Sequence, residues 1–187
     1  MASQQQFELR GYYVIMPRTT TWGYPEWERY LEAMAEDGCN LVVLWMAGGY
    51  ASRKFPETWG YNRAHRNNRE SFSPKLVERA HELGMKIVLG FGSFCYDGVN
   101  RLPFSFPDTV ATGADGQPAK LKGIHCLGQS MCPAHPGAQA LMHDYVVDMM
   151  QHHPGADGIF VESSDYEVCH CEKCAGDAFF GHEWAFV

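Results

Sequence analysis

Short apolar runs alternate along this chain with segments whose apolar residues recur every three or four positions, and the alternation is written four times. Tyr12-Tyr13-Val14-Ile15-Met16 reads as a strand stopped by Pro17. Trp27, Tyr30, Leu31, Met34 and Ala35 then stand at i, i+3, i+4, i+7 and i+8, one buried stripe of a helix that starts near Pro25 and is closed by Gly38. Leu41–Trp45 is a continuous apolar run, as in a strand covered on both faces. After a loop from Ala47 to Phe72, Ser73 and Pro74 are placed as N-cap and first helical residue, Leu76, Val77, Ala80 and Leu83 form the apolar face, and Gly84 ends the helix. Residues 86–91 give a third strand. Ala138, Leu141, Met142, Tyr145, Val146 and Met149 give a third helix stopped by Pro154, Gly158–Glu162 a fourth strand, and Ala175 to Val187 the start of a fourth helix.

Strand, loop and amphipathic helix in that repeated order are the signature of parallel βα units. The predicted fold class is α/β, with the units forming a half or partial (β/α)8 barrel in one domain over residues 1–187. The helix-to-strand connections are short. Two strand-to-helix loops run to tens of residues, the second an excursion over about residues 92–136 that contains a hairpin turn at Gly113–Pro118. Parallel α/β folds bind ligands at the C-terminal ends of their strands, where these long loops lie. The site is therefore expected after Met16, Trp45, Phe91 and Glu162.

Composition narrows the partner. The 187 residues carry 15 Lys and Arg against 22 Asp and Glu, a net charge of −7, which opposes binding to nucleic acid or an anionic membrane. No apolar run nears the ~20 residues of a membrane span, and MASQQQFELR lacks the features of a signal peptide, so a cytoplasmic protein is expected. A whole barrel takes roughly 250 residues. The shorter chain reads as a truncated half, or as one that self-associates or pairs with a missing C-terminal half-barrel.

The sharpest chemical signal is Glu162-Ser163-Ser164-Asp165, two carboxylates at a strand end. A desolvated carboxyl there can serve as a general acid, and glycoside hydrolysis needs such an acid and a second carboxylate. Glu162 is the candidate acid and Asp165 the local second group. Trp22, Trp45, Tyr50, Trp59, Tyr61, Phe94 and Tyr96 stand at or just beyond strand ends and suit the C–H faces of a sugar, with His125 of the excursion as a further contact. His81, His143, His152 and His153 lie on helices away from the strand ends and read as surface residues. Phosphate-loop and Gly-x-Ser-x-Gly motifs are missing from the sequence, so nucleotide and serine-hydrolase chemistry have no support.

Seven cysteines cannot all pair within one chain, and three crowd into Cys169-x-Cys171-x-x-Cys174. Tetrahedral zinc takes four such ligands. The fourth is available from Cys132, Cys126, His125 or His170, and Cys132 is taken with the three as the candidate structural zinc site; reduced thiols or one disulfide are the alternatives.

Met131-Cys132-Pro133-Ala134-His135-Pro136, then Gly158–Asp165, then the trailing cysteines resemble the N-terminal half of the barrel in glycoside hydrolases of the β-hexosaminidase and α-glucuronidase type. The resemblance implies hydrolysis of O-glycosyl bonds with Glu162 as acid and no cofactor for catalysis. It departs from the family pattern in two respects: Ser163-Ser164 separates the two carboxylates that usually adjoin, and the later strand from which many barrel glycosidases take their nucleophile or base has no counterpart in these 187 residues. The other readings are a non-catalytic carbohydrate- or small-molecule-binding module with a structural zinc, and an open flavodoxin-like α/β domain.

Overall fold

The computed structural model describes residues 7–96, 98–119, 128–163 and 169–176. Four strands, β1 (Gly11–Ile15), β2 (Leu41–Trp45), β3 (Lys86–Gly92) and β4 (Gly158–Glu162), form one parallel sheet in the order β1-β2-β3-β4. The helices are α1 (Tyr24–Glu36), α2 (Arg66–Glu70), α3 (Ser73–Glu82) and α4 (Pro136–His152). The fold is the expected α/β arrangement, part of a (β/α)8 barrel.

Strand pairing sorts the side chains into two faces. Val42, Leu44, Ile87, Leu89 and Phe91 all point to the helices, each at most 1% exposed, and pack with Trp27 and Leu31 of α1, Leu76 and Val77 of α3, and Met142 and Tyr145 of α4. The opposite face carries Tyr13, Val43, Val88 and Gly158 in one layer, and Trp45, Gly90 and Phe160 in the next. Among the described residues, no helix covers that second face. Tyr13 is 44% exposed and Phe160 38%.

The sheet is strongly curled toward this face. Three strand spacings of about 4.8 Å would separate β1 from β4 by about 14 Å in a flat sheet. Yet the Tyr13 and Phe160 rings lie 5.6 Å apart, and the Tyr13 hydroxyl reaches β4. On the helix side, Tyr12 at one sheet edge and Ile159 at the other are also exposed. Among the described residues, nothing continues the sheet beyond either edge strand.

Three local readings change. The loop after β2 contains α2, whose Arg-Asn-Asn-Arg-Glu sequence has no apolar period; Asn67 Nδ2 donates to the Gly49 carbonyl (2.7 Å) and Asn68 Nδ2 to that of Gly48 (3.1 Å), pinning the short helix to the strand mouth. Ser73 is not the N-cap of α3 but its first residue, and its hydroxyl donates to His153 Nε2 at 2.8 Å. His153 is correspondingly not a surface residue. It is 1% exposed, and its Nδ1 donates to the Met149 carbonyl at 2.8 Å, which fixes the neutral tautomer.

Burial holds His153 down to about 4, with the neighbouring His152 pushing the same way. Unfolded, the ring titrates near ~6.5, so its contribution to stability is full above that pH and is lost as pH falls toward 4. The expected result is about 1 kcal/mol less stability at pH 5.5 than at pH 7.5, read by urea unfolding. His153→Gln should flatten that difference; an equal slope in both proteins would show that the pH dependence arises elsewhere.

Candidate functional site

The site is built on the inner face at the C-terminal ends of the strands. Register places Gly92 of β3 beside Glu162 of β4, and Gly90 beside Trp45 and Phe160. A Cβ on Gly92 would lie 2.5 Å from the Tyr96 ring and 2.9 Å from Trp45; one on Gly90 would meet Phe160 at 3.2 Å. β3 thus supplies a furrow without side chains, and aromatic rings from both sides fill it. Trp45 packs edge-on against Tyr96 (5.6 Å) and Tyr13 (6.3 Å).

Glu162 sits half-buried at the rim of this aromatic floor, and its Oε2 accepts a hydrogen bond from the Tyr13 hydroxyl at 2.9 Å, across the two intervening strands. Its carbonyl accepts from the backbone N–H of Ser93 at 3.0 Å, tying the end of β4 to the loop after β3. In that loop Phe94 (φ 58°) and Tyr96 (φ 69°) both adopt the left-handed region, which costs ordinary residues of order 1–3 kcal/mol and is kept where surrounding structure imposes it. The turn folds the Tyr96 ring back over Gly92. The Trp45 indole N–H is buried with no hydrogen-bond partner among the described residues, an uncommon state for a buried donor.

The expected site residues separate into those on this face and those elsewhere. Glu162, Trp45 and Tyr96 come together. Tyr50 lies among the helices instead: it is 1% exposed, its hydroxyl donates to Asp148 Oδ2 at 3.0 Å, and its ring packs on Tyr145 and His153. Burial pushes its phenol far up. Trp22 packs on Trp27 and Tyr30 of α1. Phe94 is a core residue at 1% exposure. Trp59 donates from Nε1 to the Ser52 carbonyl within the loop after β2, and Tyr61 of that loop lies under Arg101 of the loop after β3 at 5.2 Å. Asp165 and His125 lie outside the described residues. Tyr13 and Phe160 were missed, although period two carried the signal: Phe160 is two residues before Glu162 and so shares its face.

A second centre lies nearby. Cys132, Cys169, Cys171 and Cys174 bring their sulfurs within 4.8 Å of one another, with Cys132 Sγ 3.7 Å from that of Cys171 and 3.8 Å from that of Cys174. All four are free thiols. Among the described residues this cluster could hold a metal ion; Cys126 and His125, the other donors considered, lie outside the described residues. Cys169, accepting from Cys132 and from the Thr112 N–H, is held well below a thiol's ordinary value, while its neighbours push Cys132 up. His135 caps α4, its Nδ1 accepting from the Gly137 N–H at 3.1 Å.

The curled parallel sheet defines the class, a partial (β/α)8 barrel, and the carboxylate and aromatic rings lie at the strand ends where that fold commonly carries its sites. No family model matches the chain, and no curated protein does. Solved structures that share the fold include glycoside hydrolases. A maltogenic α-amylase from Thermotoga neapolitana superposes with a TM-score of 0.57 at 18% identity, over 82% of this chain and 38% of that one. An exo-β-N-acetylglucosaminidase of glycoside hydrolase family 20 from Vibrio harveyi gives 0.61 at 12% identity, over 87% and 28%. A β-galactosidase from Rahnella sp. R3 gives 0.56 at 22% identity, over 90% and 23%. The chain therefore spans well under half the length of these enzymes, and the likeness establishes the fold.

Proposed function

We propose that this protein carries the acid-bearing half of a glycoside hydrolase barrel and acts on O-glycosyl bonds, with Glu162 as general acid. The observation that carries this reading is the placement of Glu162 at the mouth of the curled sheet, on the same face as Tyr13, Trp45, Tyr96 and Phe160. Aromatic faces stack on the C–H surfaces of a pyranose, and a carboxyl at their rim can reach the glycosidic oxygen. The glycoside hydrolases among the fold's neighbours support the same chemistry. Further strands, from a longer chain or a second copy, are proposed to pair with β1 and β4 and to supply whatever carboxylate Asp165 does not.

The four-thiol cluster enters as a structural zinc site. A closed set of four thiolates leaves the metal no open position for substrate or water, so catalysis does not pass through it. That cluster also suits the second reading, a carbohydrate-binding module without turnover. A panel of 4-nitrophenyl glycosides, assayed beside a glycan-binding screen, separates the two. Release of nitrophenol from at least one sugar is the expected result; glycan binding with no turnover of any substrate selects the binding module.

A further inference from the structure

We infer that one zinc ion on Cys132, Cys169, Cys171 and Cys174 is the clasp that folds the hairpin over 109–119 and the segment before α4 onto the chain that follows β4. The inference rests on reading the four thiols as a zinc site and adds what that metal does for the fold.

The sulfur spacing fits the ion. With zinc–sulfur bonds of about 2.3 Å, the edges of a tetrahedron of thiolates are about 3.8 Å. Cys132 meets that length twice, at 3.7 Å to Cys171 and 3.8 Å to Cys174. A disulfide would need about 2.05 Å and would consume the sulfurs in pairs. Instead Cys132 and the trio 37 to 42 residues later converge on one point.

The apolar packing around that point is too slight to hold it. The main core is built from Trp, Leu, Phe, Met and Tyr, whereas the separate cluster here consists of Ala111, Ala119, Cys132, Cys169 and Cys174, flanked by Ala134 and Cys171. Methyl groups and thiols remove little area from water, and each ordered residue loses backbone entropy that such burial does not offset. A structural zinc does offset it, because metal binding is folding free energy in small sites of this kind.

Three stretches of chain meet at the cluster. The hairpin is closed by the Thr112–Pro118 bridge and joined to the segment before α4 by the Val110–Met131 bridge. The Cys132 N–H donates to the Thr109 carbonyl (2.8 Å), the His170 N–H to the Thr112 carbonyl (2.8 Å), and the Thr112 N–H to Cys169 Sγ (3.4 Å). An N–H aimed at a ligating sulfur is the usual outer support of a thiolate site. Cys169 follows Glu162 by seven residues, so the clasp anchors the far end of the segment leaving the proposed acid. Cys171 is partly exposed and faces a cavity of about 370 Å³ bordered by Asp108, His135, Glu172 and Lys173, which gives metal and chelator a way in.

The test is metal analysis followed by hydrogen exchange on the whole chain. Protein purified under reducing conditions should hold one zinc per chain, replaceable by cobalt(II) with the visible absorption of a tetrahedral tetrathiolate, and Cys171→Ser should lower retention at least tenfold. Stripping the metal should speed amide exchange at least tenfold in 109–119, 129–134 and 169–176 while α1, α3 and β1–β3 keep their protection. Iron in place of zinc, disulfides among the four cysteines, or thiols that bind no metal would overturn the assignment. A bound zinc whose removal leaves exchange in those segments unchanged would overturn the clasp. None of these readouts uses a substrate, so a clasp that passes in a protein without turnover tells against the glycosidase reading alone.

Discussion

Glu162→Gln removes the dissociable proton and little else, and turnover of glycosides with poor leaving groups is expected to fall about 10²–10⁴-fold, the usual contribution of a general acid. The amide keeps the shape of the carboxyl, and its carbonyl oxygen can still accept the Tyr13 hydroxyl that now meets Oε2 at 2.9 Å. The link between β4 and the loop after β3 runs through the backbone carbonyl of Glu162 and is untouched. Melting temperature should therefore stay at the wild-type value while kcat collapses. The loss should shrink for dinitrophenyl glycosides, whose leaving group departs without protonation. Equal turnover by wild type and variant on an alkyl glycoside would remove Glu162 from the mechanism; an equal loss on both substrate types would give the carboxylate a role other than proton donation.

The strands were legible because each is a short run of apolar residues in a sheet whose outer face is covered by helices. β2 and β4 take the expected bounds, and β3 adds only Gly92. What the pattern could not carry was information held far away in the chain. Ser73 has every local mark of an N-cap, yet its hydroxyl is engaged by His153, 80 residues on. α2 owes its place to carbonyls of Gly48 and Gly49 rather than to its own sequence. The same limit divides the aromatic residues. Within a strand, period two says which side chains face the concave side, so Phe160 follows from Glu162. Beyond the strand end the alternation stops, and proximity alone could not separate Tyr96, turned over Gly92 by a left-handed φ, from Tyr50, turned among the helices. The trio Cys169, Cys171 and Cys174 announced itself by spacing. Cys132 stands 37 residues before the trio and has no such local mark; the structure brings its sulfur within 4.8 Å of theirs.

Gly98→Ala tests the close approach of the loops after β2 and β3, and a loss of about 2–6 kcal/mol is expected. Gly98 precedes the turn Val99–Phe104 with φ 91° and ψ −65°, a conformation that a side chain enters only under strain of order 1–3 kcal/mol. The space is also closed. An added Cβ would lie 2.6 Å from the Gly48 nitrogen, 2.8 Å from the Thr58 carbonyl oxygen and 3.0 Å from the Ala47 carbonyl carbon. These are backbone atoms of the loop after β2, so no rotamer change relieves the contact, and forcing the loops apart costs about 1–3 kcal/mol more. For a chain of this size the melting temperature should drop by about 4–24 °C. Gly116→Ala separates the two causes. Gly116 has a similar φ of 74° with nothing within 4 Å of its added Cβ, so only the backbone strain is felt and the loss should be about 1 kcal/mol. Equal losses in the two variants would mean that the loops after β2 and β3 yield to a methyl group. A larger loss at Gly98 would establish that their close approach, and with it the frame around Tyr61 and Arg101, is rigid.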